Sequence, residues 1–118
     1  VLRRLNSDLA DLLMRAASGR LDQGPSAEFS SSPAVTVVLA SEGYPVRPAP
    51  VRELFGIESA EAIEDVEVCY GGQTGRVASV VGIGHNFLEA RTLAYEGISR
   101  LELEGSHYRS DIALRVVS

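Results

Sequence analysis

A chain of 118 residues with 45% hydrophobic residues has the size of one ordinary domain, or of one small domain plus an extra helix, and enough apolar side chains to build a core. A formal net charge of -5 without a dense Lys/Arg run excludes the basic footprint of a nucleic-acid binder and suits an anionic membrane surface poorly, so neither partner is expected. The single cysteine, Cys69, excludes a disulfide framework within the chain and suits a reducing cytoplasm, and the most apolar run, 34–40, is only strand-sized.

Leu2, Leu5, Leu9, Leu12, Leu13 and Ala16 recur at helical spacing, with Asp8, Asp11 and Arg15 mostly elsewhere on the wheel. This predicts an amphipathic helix over 1–21, closed by Gly19, with its leucine stripe buried. The absence of an initiating Met before this pattern reads as a cut inside a longer protein. Residues 22–33, rich in Gly, Pro and Ser, read as a linker to a main domain over 34–118.

Ala34 to Ala40 is β-branched, apolar and bounded by turn residues, which predicts a buried strand. The following SEGYPVRPAP holds three prolines in ten residues and must be a shaped loop. Ser59 to Ile63 allows a short helix. Val66, Val68 and Tyr70 alternate as a second strand, Gly71, Gly72 and Gly75 mark a hairpin turn, and Arg76 to Ile83 makes a third strand. Asn86 with Glu89 opens a capped helix running to about Glu104, ended by Gly105. Ile112, Leu114 and Val116 alternate as a last strand. The predicted class is α+β: a small, mostly antiparallel sheet of about four strands with helices on one face.

Few residues carry a chemical signature. GIGHNF at 82–87 sits where a dinucleotide fingerprint would, but Phe87 occupies the third glycine position, so a tight strand-to-helix turn is the reading adopted. Cys69, His85 and His107 match no zinc spacing. Cys69 reads as a strand residue without chemistry. Ser79 lies outside any nucleophile elbow and no P-loop is present. Glu61, Glu64, Asp65 and Glu67 read as a solvated acidic face, with nothing to select a magnesium site. YRSDI at 108–112 is richer. Arg109 suits a phosphate or a carboxylate, and Asp111 a hydroxyl or an arginine; an internal Arg–Asp pair is the structural alternative.

Several segments, in order, resemble the C-terminal region of the phosphoribosylamine–glycine ligase family, also called glycinamide ribonucleotide synthetase, of the ATP-grasp group. VLRRL and the leucine helix resemble the exit from an ATP-grasp domain. VVLASEGYP at 37–45 resembles the opening strand and Gly-Tyr-Pro loop of the C domain, and GIESAEAI at 56–63 the short helix after it. The run 75–112 resembles the family's Gly-Arg-Val strand, capped helix and Tyr-Arg-x-Asp-Ile ending. The departures are Pro50 and Val51 at the usual Lys-Gly pair, Cys69, Tyr70, Gly71 and Gly72 at the usual His-Ala-Gly-Thr, and Ala113 at the usual Gly.

The resemblance implies a piece of an enzyme that joins glycine to 5-phosphoribosylamine with ATP and Mg²⁺ or Mn²⁺, in the cytoplasm, in de novo purine synthesis. Catalytic groups and metal site would lie upstream, so no catalytic residue, metal ligand or cofactor is expected within this chain. Residues 1–21 would be the helix leaving the ATP-grasp domain, 22–33 the linker and 34–118 the C-terminal domain. Its partners would be that upstream domain and the small-molecule substrates. Gly43, Tyr44, Pro45, Tyr108, Arg109 and Asp111 are the candidates for lining the cleft. The rival reading is a divergent stand-alone interaction or scaffold module of the same fold.

Overall fold

A computed structural model describes residues 1–47 and 49–117. The chain divides into two units, Val1–Ser32 and Pro33–Ser118.

In the first unit the leucine-striped segment is not one helix. A 3₁₀ turn spans Leu2–Arg4, and α1 runs only over Leu9–Ala17. The break is set by Asp8, whose extended backbone and side chain cap α1 by accepting the Asp11 N–H at 3.0 Å. Residues ahead of the cap pair with the Ser-rich stretch instead. Asn6 N–H donates to Glu28 C=O at 2.8 Å, Ser30 N–H donates to Arg4 C=O at 2.7 Å, and Leu5 bridges Phe29. The expected burial of the stripe is not found: α1 has no buried residue, and Leu2, Leu9 and Leu13 are exposed.

The second unit is α+β. Strands β1 (Ala34–Ala40), β2 (Val66–Tyr70) and β3 (Arg76–Ile83) form an antiparallel sheet in the order β1-β3-β2. Helix α2 covers Ile57–Glu61, α3 covers Phe87–Arg100, and α4 covers Leu114–Val117. The β2–β3 hairpin closes where Gly71 to Gly75 predicted it. Val80 lies at the centre of the sheet, opposite Val37 on one side and Val68 on the other, and is fully buried. Helix α3 closes over this face with Ala90, Ala94, Gly97 and Ile98. Small residues set the approach distance. A Cβ at Gly97 would lie 2.6 Å from Val80 Cγ1, and one at Gly82 would lie 2.5 Å from the Ala94 backbone nitrogen. The core thus packs a β-branched sheet face against a small-residue helix stripe.

Two expectations are corrected here. Among the described residues the sheet has three strands, not four: 112–116 turns into α4. Ala113 has φ +59°, which an extended strand does not permit, and Leu114 N–H turns back to Asp111 C=O at 3.1 Å. Helix α3 ends at Arg100 rather than near Glu104, because Leu101 is extended and Glu102 exchanges two 3.0 Å backbone bonds with Phe55.

Candidate functional site

β1 delivers the chain into the Gly-Tyr-Pro loop, and buried Ser41 fixes the junction. Ser41 N–H donates to Gly75 C=O at 2.9 Å, and Gly75 N–H donates to Ser41 Oγ at 2.8 Å, tying the loop to the β2–β3 turn. Gly43 takes φ +79°, and its carbonyl accepts from the N–H groups of Val46 and Arg47, which folds the loop back on itself. The Tyr44–Pro45 peptide is cis. Tyr44 lies beside Arg76, the first residue of β3, whose Nε donates to the phenol oxygen at 2.7 Å.

The 107–112 segment returns along the same end of the sheet. His107 exchanges two 2.9 Å backbone bonds with Ala40, extending the ladder one step past β1. Residues 109–112 are then held by two α3 side chains one helical turn apart. The Tyr95 hydroxyl donates to Arg109 C=O at 2.5 Å and accepts from Ile112 N–H at 3.1 Å. Arg91 donates to Ile112 C=O at 2.9 Å and to Ser110 C=O at 2.6 Å, and its guanidinium lies 4.6 Å from the Tyr95 ring centroid. The Tyr95 and Tyr108 rings meet at 6.1 Å.

These elements enclose an open cavity of about 370 Å³. Thr36, Val38 and Ala40 of β1 form its floor, and Tyr44, Arg76, Tyr108 and Arg109 stand around it. Tyr44, Tyr108 and Arg109, separated by more than sixty residues of chain, therefore face one space. Gly43 shapes the loop without lining that space, Pro45 lines a neighbouring cavity with Ser41, Thr74 and Gly75, and Asp111 lines a third with Arg109. Arg109 and Asp111 form a two-pronged pair, Nε to Oδ1 at 2.9 Å and Nη2 to Oδ2 at 2.7 Å. That hydrogen bond holds the Asp111 carboxyl below its ordinary range and raises the Arg109 guanidinium further.

Arg76 and His107 were not among the residues expected to line a cleft. Arg76 is signalled by its place directly after the hairpin glycine and in the family-like Gly-Arg-Val run, and nothing in the sequence shows that His107 bonds to β1. At the other end of the unit, Glu89 accepts from the His85 N–H at 2.7 Å and lies 2.9 Å from His85 Nδ1. The His85 N–H, and after it the His85 side chain, lower the Glu89 pKa. GIGHNF is thus a capped strand-to-helix turn, with Asn86 Oδ1 accepting from Glu89 N–H at 2.9 Å.

Among the described residues no group of three or more His, Cys, Asp or Glu is placed to hold a metal ion. Cys69 is exposed on β2, and Glu61 of the acidic stretch accepts from Val68 N–H at 3.1 Å. Among the described residues no helix is long and apolar enough to cross a membrane.

Residues 34–115 match the family described as phosphoribosylglycinamide synthetase, C domain. Similar curated proteins are named phosphoribosylamine–glycine ligase. That of Leifsonia xyli is 42% identical across 98% of this chain, that of Neisseria meningitidis 36% across 100%, and that of Mycobacterium tuberculosis 41% across 98%. The chain spans only about 30% of the length of the first two. The match covers β1, the hairpin, α3 and the paired 109–111 segment, and on that basis the chain belongs to the phosphoribosylglycinamide synthetase C-domain family.

Proposed function

We propose that this chain acts as the C-terminal domain of a phosphoribosylamine–glycine ligase, and that the space between Tyr44 and Arg109 is its share of the wall of the active-site cleft. The observation carrying the proposal is the convergence of the two family-like segments, GYP and YRSDI, on one 370 Å³ cavity at the end of β1. The parent reaction would join glycine to 5-phosphoribosylamine in the cytoplasm. ATP and Mg²⁺, held by an upstream ATP-grasp domain, would supply the activation of the glycine carboxylate.

This chain's residues would act by position. Tyr95 and Arg91 hold the 109–112 backbone, and the pair with Asp111 directs the Arg109 charge at the rim. Tyr44, anchored by Arg76, and Tyr108 present ring faces that exclude water from a reactive acyl intermediate. The Arg109–Asp111 pair can open to an anionic substrate group, since Arg109 has donors beyond the two it gives Asp111.

The test is reconstitution. The chain alone is expected to release no ADP from ATP, glycine and phosphoribosylamine. Joined to the remainder of the Leifsonia xyli relative, it should restore substrate-dependent ADP release. Turnover by the chain alone, or a well-folded chimera without turnover, would overturn the proposal, the latter in favour of a stand-alone interaction module.

A further inference from the structure

β1 is an edge strand whose outer side is only partly used. Two bonds fix which of its residues turn their backbone outward. Pro33 C=O accepts from Gly84 N–H on the β3 side, and Ala40 exchanges both of its bonds with His107 on the opposite side. Backbone direction alternates along a strand, so the odd-numbered residues of β1 bond to β3 and the even-numbered ones face away. Ala40 is satisfied by His107. Thr36 and Val38 point the same way and have no backbone partner among the described residues. Both are exposed, Val38 at 37%, although the strand as a whole is one of the most apolar stretches of the chain.

An unpaired strand edge offers its N–H and C=O groups to another strand, and proteins often blunt such edges with Lys, Pro or a bulge. β1 has none of these at Thr36 or Val38; its one irregularity lies at Leu39/Ala40. The ladder that His107 begins at Ala40 therefore stops with Val38 and Thr36 still open, and Tyr108 and Ile112 border the gap.

We propose that the outer edge of β1 is a strand-addition site, and that its occupant is an extended segment from the rest of the ligase chain, bonding to the N–H and C=O groups of Thr36 and Val38. This rests on the ligase reading above. Three observations favour that occupant. The curated relatives have most of their length outside the region matched here. A segment on the same polypeptide, where its connection spans the distance, binds intramolecularly at an effective concentration up to roughly millimolar, whereas a second copy must bind in trans. A second copy would also bring together two chains of net charge -5.

The test compares the isolated chain with the Leifsonia xyli chimera by amide hydrogen exchange. The Thr36 and Val38 amides should exchange at least about tenfold more slowly in the chimera, while the Val35 and Val37 amides, already bonded to β3, change little. Val38→Pro removes an outward N–H, which an edge strand tolerates. It should leave the isolated chain folded yet abolish the added protection at Thr36; Thr36→Pro, read at Val38, serves if the first variant fails to fold. Equal exchange in both proteins overturns the inference. So does protection in the isolated chain that grows with its concentration, which would make the occupant a second copy. Turnover is measured separately. An active chimera with an unprotected edge overturns strand addition alone, whereas a protected edge in an inactive chimera supports strand addition and counts against the ligase reading.

Discussion

The hydroxyl of Tyr95 stands between Arg109 and Ile112, donating to the carbonyl of one at 2.5 Å and accepting from the N–H of the other at 3.1 Å. One phenol on α3 thereby satisfies two backbone groups of a loop that has no ladder of its own. Removing it frees both. Tyr95→Phe should lower stability by about 1–2 kcal/mol, read from urea unfolding, because two partners lose a bond at a partly buried site. Exchange at the Ile112 amide should rise with it. A variant with unchanged midpoint and unchanged exchange would show that the loop is held by Arg91 alone.

Arg109→Ala should separate function from folding. The pair with Asp111 is exposed on both sides, and exposed ion pairs add little to stability. The melting temperature of the chain should therefore hardly move, while ADP release by the chimera should fall at least about tenfold if Arg109 meets substrate. Parallel losses in both would assign Arg109 to a structural pair only.

Gly82→Ala should destabilise the second unit by about 1–3 kcal/mol, because a Cβ there meets α3 backbone rather than a flexible side chain. A loss this size is readable in the urea midpoint. An unchanged midpoint would mean that α3 can shift away from β3 without cost.

Ala113→Gly should do the reverse. Ala113 holds φ +59°, a left-handed conformation that strains any residue with a Cβ. Gly relieves that strain but adds freedom to the unfolded chain, leaving a net gain of about 0.5 kcal/mol. A lowered melting temperature would contradict the left-handed assignment.

Acid should destabilise the chain only slightly through Asp111 and Glu89, because both side chains are open to solvent. Both carboxyls are depressed in the folded state, Asp111 by Arg109 and Glu89 chiefly by the His85 N–H. A depressed carboxyl stabilises the fold fully above its ordinary value, 3.8 for Asp111 and 4.5 for Glu89, and loses that contribution as pH falls through the lower folded value. Melting curves from pH 6 down to about pH 3 should thus show a shallower acid slope in Glu89→Gln and Asp111→Asn than in the parent. Identical slopes would contradict both depressions.

The sequence by itself determined the elements whose signals are local. Six apolar residues and Thr36, mostly β-branched, make β1, alternation and glycines make the β2–β3 hairpin, and Asn86 with Glu89 starts α3. Each follows from side-chain period, turn chemistry or a cap, all decided within a few residues of chain. The family, too, was legible there, since it is carried by the order of such segments.

Tertiary structure decided the rest. The Ile112, Leu114 and Val116 alternation was too short to tell strand from turn, and Ala113 shows no sign in its own side chain of the left-handed backbone it adopts. The leucine stripe was periodic, but Asp8 outcompeted it locally by capping α1, and 4–6 then paired with 28–30. The two family-like segments were legible in sequence, but the positions of Arg76 and His107 beside them were not. Those join Tyr44 and Tyr108 only because β3 runs antiparallel beside β1 and the chain after α3 returns to Ala40. Such long-range pairings depend on which surfaces bury together, and no window of sequence contains both partners.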